Sequence, residues 1–574
     1  MSLNVTVLLL SRKCDTGAAR SWSSNCGETA AMNDRPFAPL ISALAERAAL
    51  TMLLAAMAAT VSLWFACSLS YPFGWDQGVF AWVGDVIRRG GQPYRDAWEM
   101  KGPFAYYSYA LAQSLFGHNL WGVRLLDGLC LAAGALCFYN LASRIAGRFA
   151  AAWAGMVLVI WYGSGSYCYT AQPDVWAVMM IIGGTALAAA GKDAPSRVRW
   201  FCSGALIGCA TDVKPLFGLF LVLPVLAALP RLGAYRRLIT GAAWATVGFL
   251  APATVVVLWF WRAGILHDYI EQHLIYSAAV YARDTGLSAA SVIGGMARYA
   301  LWSKALQVLA VPAALGAAFL VWRDWRRALL AAVWLAAALV CIALQNRYYP
   351  YHWAQVFPPV LLLAAAGIHG TLERLNSRGA RICVIFFLAA VTAFACAPLR
   401  WDVLRWAGWI RGATSTAEYY KGFPVAYPEM QAAAYIRSQT NESERVAIWG
   451  FESPILFMAS RSSASRFAHS APFLAGPPNA WKEKYRKELL HSLKSAPPAF
   501  LVFGSHPGNV LGTKAGSLDF PGIRAFAVGA CRPDRRFARL RLYRCRAGPG
   551  MRAAKTKDTR HPKDVNVLFT YWPK

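Results

Sequence analysis

Residues 71–119 concentrate ionisable and aromatic side chains between two apolar runs. A plain connection between such runs would be short and polar, whereas this one is long and contains two amphipathic stretches, Val79–Arg88 and Pro103–Leu115, which we predict to be helices. A carboxylate beside a hydroxyl can remove its proton, and a nearby cation can stabilise an anionic leaving group. The segment is therefore a candidate catalytic site. Its ionisable residues include Asp76, Asp85, Asp96, Glu99 and Lys101.

The composition indicates that the apolar runs cross a membrane. Of the 574 residues, 57% are hydrophobic and 15% are charged, whereas soluble proteins carry about 25% charged residues. Apolar runs of about twenty residues, each long enough to cross about 30 Å of hydrocarbon, recur between residues 48 and 399. Much of the formal net charge of +29 falls in short loops, where basic residues set topology. Because no basic stripe with interleaved aromatic residues is present, we predict no nucleic-acid partner.

These runs predict an all-α polytopic membrane protein with about eleven transmembrane helices. Alternate short loops carry arginine and lysine, which assigns those loops to the cytoplasmic side and predicts a multi-pass protein of the cell inner membrane. Three longer segments then lie outside: 71–119, 262–301 and the residues after 399. The predicted spans are 48–70, 120–143, 149–170, 174–191, 199–213, 215–230, 238–261, 302–322, 328–346, 352–371 and 382–398.

The topology predicts four domains or segments. Residues 1–47 form an N-terminal cytoplasmic segment that is partly disordered, and residues 48–398 form the transmembrane core with its catalytic outer loop 71–119. Residues 399–548 form a small periplasmic (extracytoplasmic) α/β domain, because helices alternate there with short apolar strands. Residues 549–574 form a polar, basic tail, which we predict to be disordered.

The predicted elements of the C-terminal domain include a last strand that alternates as an antiparallel edge strand would. Most of the thirteen cysteines lie in apolar runs, where they behave as small apolar side chains. Cys531 and Cys545 flank a predicted hairpin in a polar region and are a candidate disulfide. The predicted elements are helices at Pro428–Gln439 and Ala480–Ser495 and strands at Arg445–Trp449, Ala499–Gly504 and Phe537–Tyr543.

Short motifs follow one another in a fixed order along the chain. They are WDQG at 75–78, GQPY at 91–94, KGP at 101–103, LFG at 115–117, QPD at 172–174, TDVKP at 211–215 and RYYPYH at 347–352. Over about residues 45–400 this pattern resembles the C-type integral-membrane glycosyltransferases. Within that superfamily the pattern resembles the bacterial aminoarabinose transferases of lipid A and the protein O-mannosyltransferases.

The resemblance implies a sugar donor linked to polyprenyl phosphate, chemistry at the outer membrane surface and inversion at the anomeric carbon. It places the catalytic base at Asp76 and a second acidic residue of the active cavity at Asp174. It favours Lys101 as a contact to the donor phosphate. In some relatives the glutamate of a Glu-Lys-Pro motif contacts metal, which makes Glu99 a candidate for substrate or metal contact. This chain departs from that motif, because Met100 separates Glu99 from Lys101 and Gly102 precedes Pro103. The resemblance admits a divalent metal but requires no cofactor.

Other candidate residues keep two interpretations. Lys214 either contacts the donor phosphate or extends toward the membrane interface, whereas Arg347 is assigned to phosphate oxygens. His352 is either a substrate contact or a structural residue. His267 is either a substrate or metal contact or part of an amphipathic interfacial helix.

Helix geometry offers simpler roles for some of the same residues. Asp76 suits the N-cap of an interfacial helix, and Asp174, directly after Pro173, suits ordinary helix initiation. Arg124 and Asp127 stand three residues apart in the second predicted span, and we expect them to pair with each other.

Three functions are compatible with these patterns. The preferred one is an inverting glycosyltransferase that moves a sugar from polyprenyl phosphate to a lipid, glycan or protein acceptor. A lipid-linked saccharide flippase or other transporter would instead place ionisable groups at the bilayer midplane. The third is a catalytically silent assembly subunit, which the retention of Asp76, Lys101 and Asp174 disfavours. The sequence does not identify the sugar or the acceptor.

Overall fold

A computed structural model describes residues 37–165, 167–191, 195–229, 235–281, 288–345, 347–474, 479–504 and 520–545. The predicted disorder of the N-terminal segment and of the tail after residue 548 falls mainly outside these residues. Residues 50–574 form one compact unit, and residues 1–49 are assigned to another. The helices before residue 399 are α1 (Phe37–Ser68), α2 (Trp75–Arg88), α3 (Pro103–Phe116), α4 (Gly122–Gly163), α5 (Pro173–Ala189), α6 (Arg197–Val213), α7 (Val222–Ala228), α8 (Tyr235–Arg262), α9 (Leu266–Tyr269), α10 (Ala289–Trp302), α11 (Lys304–Arg323), α12 (Trp325–Gln345), α13 (Phe357–Arg374) and α14 (Arg378–Cys396).

The chain is a mostly helical, multi-span membrane protein with a small C-terminal sheet. Among the described residues, six helices are long and apolar enough to cross a membrane, namely those within α1, α4, α8, α11, α12 and α14. The shorter apolar segments Pro173–Ala189 and Pro215–Ala228 also coincide with predicted spans. Short 3-10 segments lie at Tyr167–Tyr169, Pro215–Leu221 and Pro350–Gln355, and a π-helical segment at Ile270–Tyr281.

Helix α4 contains two of the predicted spans, joined at a kink. Gly147 has φ of 70° inside the helix, a conformation that favours glycine because a side chain would be strained there. The short basic connection expected between residues 143 and 149 is therefore a bend within α4. The flanking Arg144 and Arg148 lie at this bend.

The C-terminal region contains a four-stranded mixed sheet. Strand order is β1-β2-β4-β3, with β1 parallel to β2 and the other two pairs antiparallel. Cys531 and Cys545 are opposite each other on β3 and β4 and form a disulfide bond. The elements are α15 (Leu399–Ile410), α16 (Thr416–Lys421), α17 (Ala426–Gln439), β1 (Val446–Trp449), α18 (Pro454–Ala459), α19 (Ala471–Leu474), α20 (Ala480–Ser495), β2 (Phe500–Phe503), α21 (Pro521–Ala530), β3 (Cys531–Phe537) and β4 (Leu540–Cys545).

The prediction of one edge strand at Phe537–Tyr543 is wrong. Phe537 ends β3, and the chain turns at Ala538, which has φ of 48°. Leu540 then begins β4, which lies between β2 and β3 in the interior of the sheet. The hairpin predicted between Cys531 and Cys545 is present. The alternation of apolar and basic residues continues across its turn, so periodicity alone did not place that turn.

Candidate active site

The start of α2 fixes the position of Asp76. Gly74 is the N-cap, and its backbone N–H donates to Oε1 of Gln77 at 2.6 Å. The Gln77 amide nitrogen in turn donates to the carbonyl oxygens of Tyr167 and Thr170. Asp76 is therefore in the first helical turn rather than at the N-cap that the sequence suggested. Its position is set by a turn that is hydrogen-bonded to residues 167–170.

The expected pairing of Arg124 with Asp127 is wrong, because each side chain has other partners. The buried guanidinium of Arg124 donates to the carbonyl oxygens of Tyr71 and Pro72 and to the side chains of Thr170 and Gln77. These hydrogen bonds connect the residues that precede α2 with the segment that precedes α5. The Asp127 carboxylate instead accepts hydrogen bonds from the hydroxyl of Tyr162, the indole of Trp176 and the backbone N–H of Ala171.

The Asp76 carboxylate faces residues from two other segments. The Tyr351 hydroxyl donates to Oδ2 of Asp76 at 3.2 Å, and the Gln172 amide nitrogen lies 3.5 Å from the same oxygen. Burial raises the pKa of Asp76, and the negative charge of Glu99 adds to that effect, although Lys101 opposes it. A carboxylate with a raised pKa is a stronger base than an ordinary aspartate when it is ionised. Neither Gln172 nor Tyr351 was singled out from the sequence, although both lie within recognised motifs.

Lys101, Asp174 and Lys214 form a buried ion cluster. Nζ of Lys101 lies 3.1 Å from Oδ2 of Asp174, and Nζ of Lys214 contacts Oδ1 of the same carboxylate. Lys214 also donates to Oε1 of Gln345 at 2.8 Å. Asp174, at the start of α5, is 2% exposed. The structure thus brings together three residues that the sequence assigned to one site.

The backbone around Lys101 is held closely against α6. A Cβ atom on Gly102 would lie 1.5 Å from the carbonyl oxygen of Asp212, so only glycine fits at this position. The Asp212 carboxylate accepts a hydrogen bond from the backbone N–H of Phe104 at 2.8 Å, at the start of α3. The hydroxyls of Tyr94 and Tyr106 both donate to the carbonyl oxygen of Lys101. These contacts fix where the Lys101 side chain leaves the loop.

His352 and Arg347 lie close together on the segment before α13. Both are buried, and Nδ1 of His352 lies 3.0 Å from the carbonyl oxygen of Arg347. The ring of His352 is within electrostatic range of Asp174 and of Lys214. The segment that carries the two residues therefore adjoins the ion cluster.

Glu99 contacts the C-terminal region, which the sequence did not predict. Its Oε2 lies 2.8 Å from Nε2 of His469, and both side chains are buried. Burial opposes ionisation of Glu99, but His469, the backbone N–H of Met100 and the charge of Lys101 together lower the pKa of this carboxyl. Met100 is held on the other side, because Nδ1 of His273 lies 2.9 Å from its carbonyl oxygen. His267 is exposed.

No metal centre emerges from these residues. Within the described parts of the chain, no group of three or more His, Cys, Asp or Glu side chains is arranged to hold an ion. Glu99 and His469 alone would supply two ligands, fewer than a zinc site needs. We therefore derive no chemical step through a metal.

Further contacts join α2 to the C-terminal region. The indole N–H of Trp75 donates to Oε1 of Glu429 at 2.9 Å. Burial raises the pKa of Glu429 well above its usual range, and the neighbouring Glu452 adds to the effect. A Cβ atom on Gly78 would lie 2.4 Å from the backbone nitrogen of Pro454, so α2 and α18 approach closely. The helix that carries Asp76 therefore contacts both the segment before α5 and the C-terminal region.

Comparison with known proteins connects this arrangement to a group of membrane enzymes. Residues 100–261 match the family described as dolichyl-phosphate-mannose-protein mannosyltransferase. The undecaprenyl phosphate-alpha-4-amino-4-deoxy-L-arabinose arabinosyl transferase 1 of Pseudomonas fluorescens is 25% identical over 309 residues, which cover 50% of this chain. The match spans about half of that relative's length, 52%.

Two crystal structures of ArnT from Cupriavidus metallidurans share the fold. The apo structure gives a TM-score of 0.54 at 17% identity, and the structure bound to undecaprenyl phosphate gives 0.53 at 18% identity. Each comparison covers 86% of this chain and 97% of the other. The predicted resemblance is confirmed: the chain is similar to the C-type integral-membrane glycosyltransferases, with an ArnT-like fold and a segment that matches the protein mannosyltransferase family.

Proposed function

We propose that this chain is an inverting glycosyltransferase that moves a sugar from a polyprenyl-phosphate donor to a lipid, glycan or protein acceptor. The observation that carries the proposal is the geometry around Asp76: its carboxylate contacts Gln172 and Tyr351, and Asp174, two residues after Gln172, contacts both Lys101 and Lys214. A base beside cations is what transfer from a phosphate requires. The sequence and fold similarities support the same class of reaction.

In the proposed reaction, Asp76 acts on the acceptor and the basic residues act on the leaving phosphate. Asp76 accepts the proton of the acceptor hydroxyl as its oxygen attacks the anomeric carbon of the sugar. The bond between that carbon and the phosphate oxygen breaks, its electron pair stays on the oxygen, and polyprenyl phosphate leaves. Attack opposite the leaving group inverts the anomeric carbon. Lys101, Lys214 and Arg347 stabilise the negative charge that develops on the phosphate.

Asp174 acts mainly by positioning the two lysines. It contacts Lys101 and Lys214 through different carboxylate oxygens, so both ammonium groups are held at one place. A cation pair fixed in advance needs little reorganisation when charge develops on the leaving group. The buried His352 adjoins this cluster and has a supporting role.

The predicted membrane orientation belongs to the same proposal. About eleven spans would place residues 71–119, 262–301 and the C-terminal domain outside the inner membrane. Two contacts support this assignment, because they join the three segments. Glu99, in 71–119, contacts His469 of the C-terminal domain, and Met100 contacts His273 of 262–301. Candidate acids and bases at span ends also favour surface chemistry over transport through the midplane.

Donor turnover tests the proposal directly. Purified protein in nanodiscs would be given extracted polyprenyl-phosphate sugars, with release of free polyprenyl phosphate as the readout. We expect release with at least one donor pool, and Lys101→Ala should reduce it by weakening donor use. Lys421→Ala is a matched control, because Lys421 is exposed and pairs only locally with Glu418.

Two outcomes would contradict the assignment. If folded protein binds the lipid but releases no polyprenyl phosphate from any pool, a transporter or a silent subunit becomes the better assignment. If release proceeds but Lys101→Ala leaves both donor affinity and turnover intact, the phosphate role of Lys101 is withdrawn.

A further inference from the structure

Helix α15 lies where two helices that are long and apolar enough to cross a membrane come to an end. One of them, α14, ends at Cys396, and α15 begins soon afterwards at Leu399. The other, α1, ends at Ser68, and the thiol of Cys67 in its last turn donates to the carbonyl oxygen of Asp402 in α15 at 3.4 Å. Membrane-spanning helices end near the lipid headgroups. Contact with the ends of both helices therefore places α15 at the membrane surface.

One face of α15 packs against the rest of the protein. The Tyr71 hydroxyl donates to Oδ2 of Asp402 at 2.8 Å, and the same carboxylate pairs with Arg405 one turn later. Trp409 stacks on Tyr419 of α16, with the two ring centroids 4.7 Å apart. These contacts hold α15 against the outer-loop residues that follow α1 and against the C-terminal region.

The opposite face of α15 is exposed and combines apolar with basic side chains. Arg400, Leu404 and Arg411 share this face, because they are separated by four and seven residues, and Trp401 borders it. The exposed fraction is 61% for Leu404 and 63% for Trp401. Leucine, tryptophan and arginine on one exposed helix face are typical of a helix that lies in the headgroup layer of a bilayer.

The charge of this exposed face matches an anionic surface. Arg400 and Arg411 are both exposed, and neither pairs with a carboxylate among the residues that the structure describes. Asp402 is the only acid between positions 396 and 417, and it is turned toward the protein, where Tyr71 and Arg405 contact it. The exposed face therefore carries positive charge alone, and basic residues at a membrane surface are attracted to anionic lipids.

We propose that α15 docks on anionic phospholipid, with Arg400 and Arg411 on headgroup phosphates and with Trp401 and Leu404 at the boundary of the acyl chains. Because its other face contacts the C-terminal region, a docked α15 anchors that region to the membrane surface. Docking involves no sugar transfer, so this role is separate from the proposed reaction and adds lipid composition as a condition on the structure.

Hydrogen exchange of the full-length protein in nanodiscs tests the docking. Discs of phosphatidylcholine alone would be compared with discs of phosphatidylcholine and phosphatidylglycerol in equal parts, and exchange at the backbone amides of residues 399–410 would be measured. Two arginines act on the anionic surface, so we expect exchange to be at least about tenfold slower with phosphatidylglycerol. Arg400→Gln combined with Arg411→Gln should abolish this difference. The matched control, Arg532→Gln with Arg541→Gln, removes the same charge from exposed positions of the C-terminal sheet and should retain it.

Three outcomes would overturn the docking. The first is equal exchange of wild-type α15 in the two kinds of disc, which requires no variant to interpret. The second is an equal loss of protection in the control pair, because the lipid effect would then follow total charge rather than α15. The third separates a lipid surface from a free anion: inorganic phosphate added to phosphatidylcholine discs should give no protection. Protection by inorganic phosphate equal to that by phosphatidylglycerol would leave a plain anion site.

Discussion

Replacing Asp174 by asparagine tests the ion cluster that the active-site account depends on. The substitution keeps the shape of the side chain but leaves Lys101 and Lys214 without their shared counter-charge. Removing one partner of a buried ion pair costs about 3–5 kcal/mol. The lysine side chains are 20% and 13% exposed, so water screens part of the loss. We therefore expect destabilisation of about 2–4 kcal/mol.

Thermal unfolding in detergent would measure the effect as a lower midpoint for Asp174→Asn than for wild type. Adding Lys214→Met should restore part of the loss, because it removes a stranded cation from a buried position. Glu418→Gln, at an exposed pair, should change stability by less than about 1 kcal/mol. The reasoning is refuted if Asp174→Asn unfolds at the wild-type midpoint. It is also refuted if the double variant is no more stable than the single one.

Three further predictions concern the surroundings of the cluster. Because the pKa of Asp76 is raised in the free protein and a base must be ionised, the acid limb of the kcat/KM–pH profile should lie above about pH 3.9; a limb at or below that value would contradict the assignment. His469→Gln should destabilise the protein by about 2–3 kcal/mol at neutral pH. The pKa of Glu99 is lowered, so its stabilisation is present above about pH 4.3 and is lost as the pH falls through the folded pKa. The difference between the unfolding midpoints of wild type and His469→Gln should therefore shrink in acid, and a constant difference would exclude the ion pair. Gly78→Ala should cost about 1–3 kcal/mol, because its Cβ would meet Pro454; an unchanged unfolding midpoint would show that this contact is loose.

The positions of the helices were predicted from the sequence better than the connections between elements and the contacts between distant residues. Each predicted span falls on a helix or an apolar helical segment, because hydrophobic runs long enough to cross a membrane are local signals. The bend at Gly147 was expected to be a loop between two spans. Basic residues beside a glycine indicate that one span ends and another begins, but they do not show whether a loop or a bend within one helix joins the two. The hairpin between Cys531 and Cys545 was predicted, but its turn at Ala538 was placed inside a strand because the strand alternation continues across it.

The candidate site divides in the same way. Lys101, Asp174 and Lys214 were grouped through ordered motifs, and the structure places them in contact, although their roles in catalysis stay predictions. The partner of Glu99 was not predictable, because His469 is 370 positions away and lies in no recognised motif. Long-range contacts of this kind depend on how the C-terminal region packs against the outer loop, which local spacing does not encode.

The most direct test of the central claim compares wild type with Asp76→Asn in purified, nanodisc-embedded protein. Release of polyprenyl phosphate, donor binding and the unfolding midpoint would be measured on the same samples, with Glu418→Gln as an exposed carboxylate control. A general base contributes about 10²–10⁴-fold, so we predict that release falls at least about 100-fold while donor binding and the midpoint stay at wild-type values. Release within about tenfold of wild type by well-folded Asp76→Asn would contradict the assignment of Asp76 as the base.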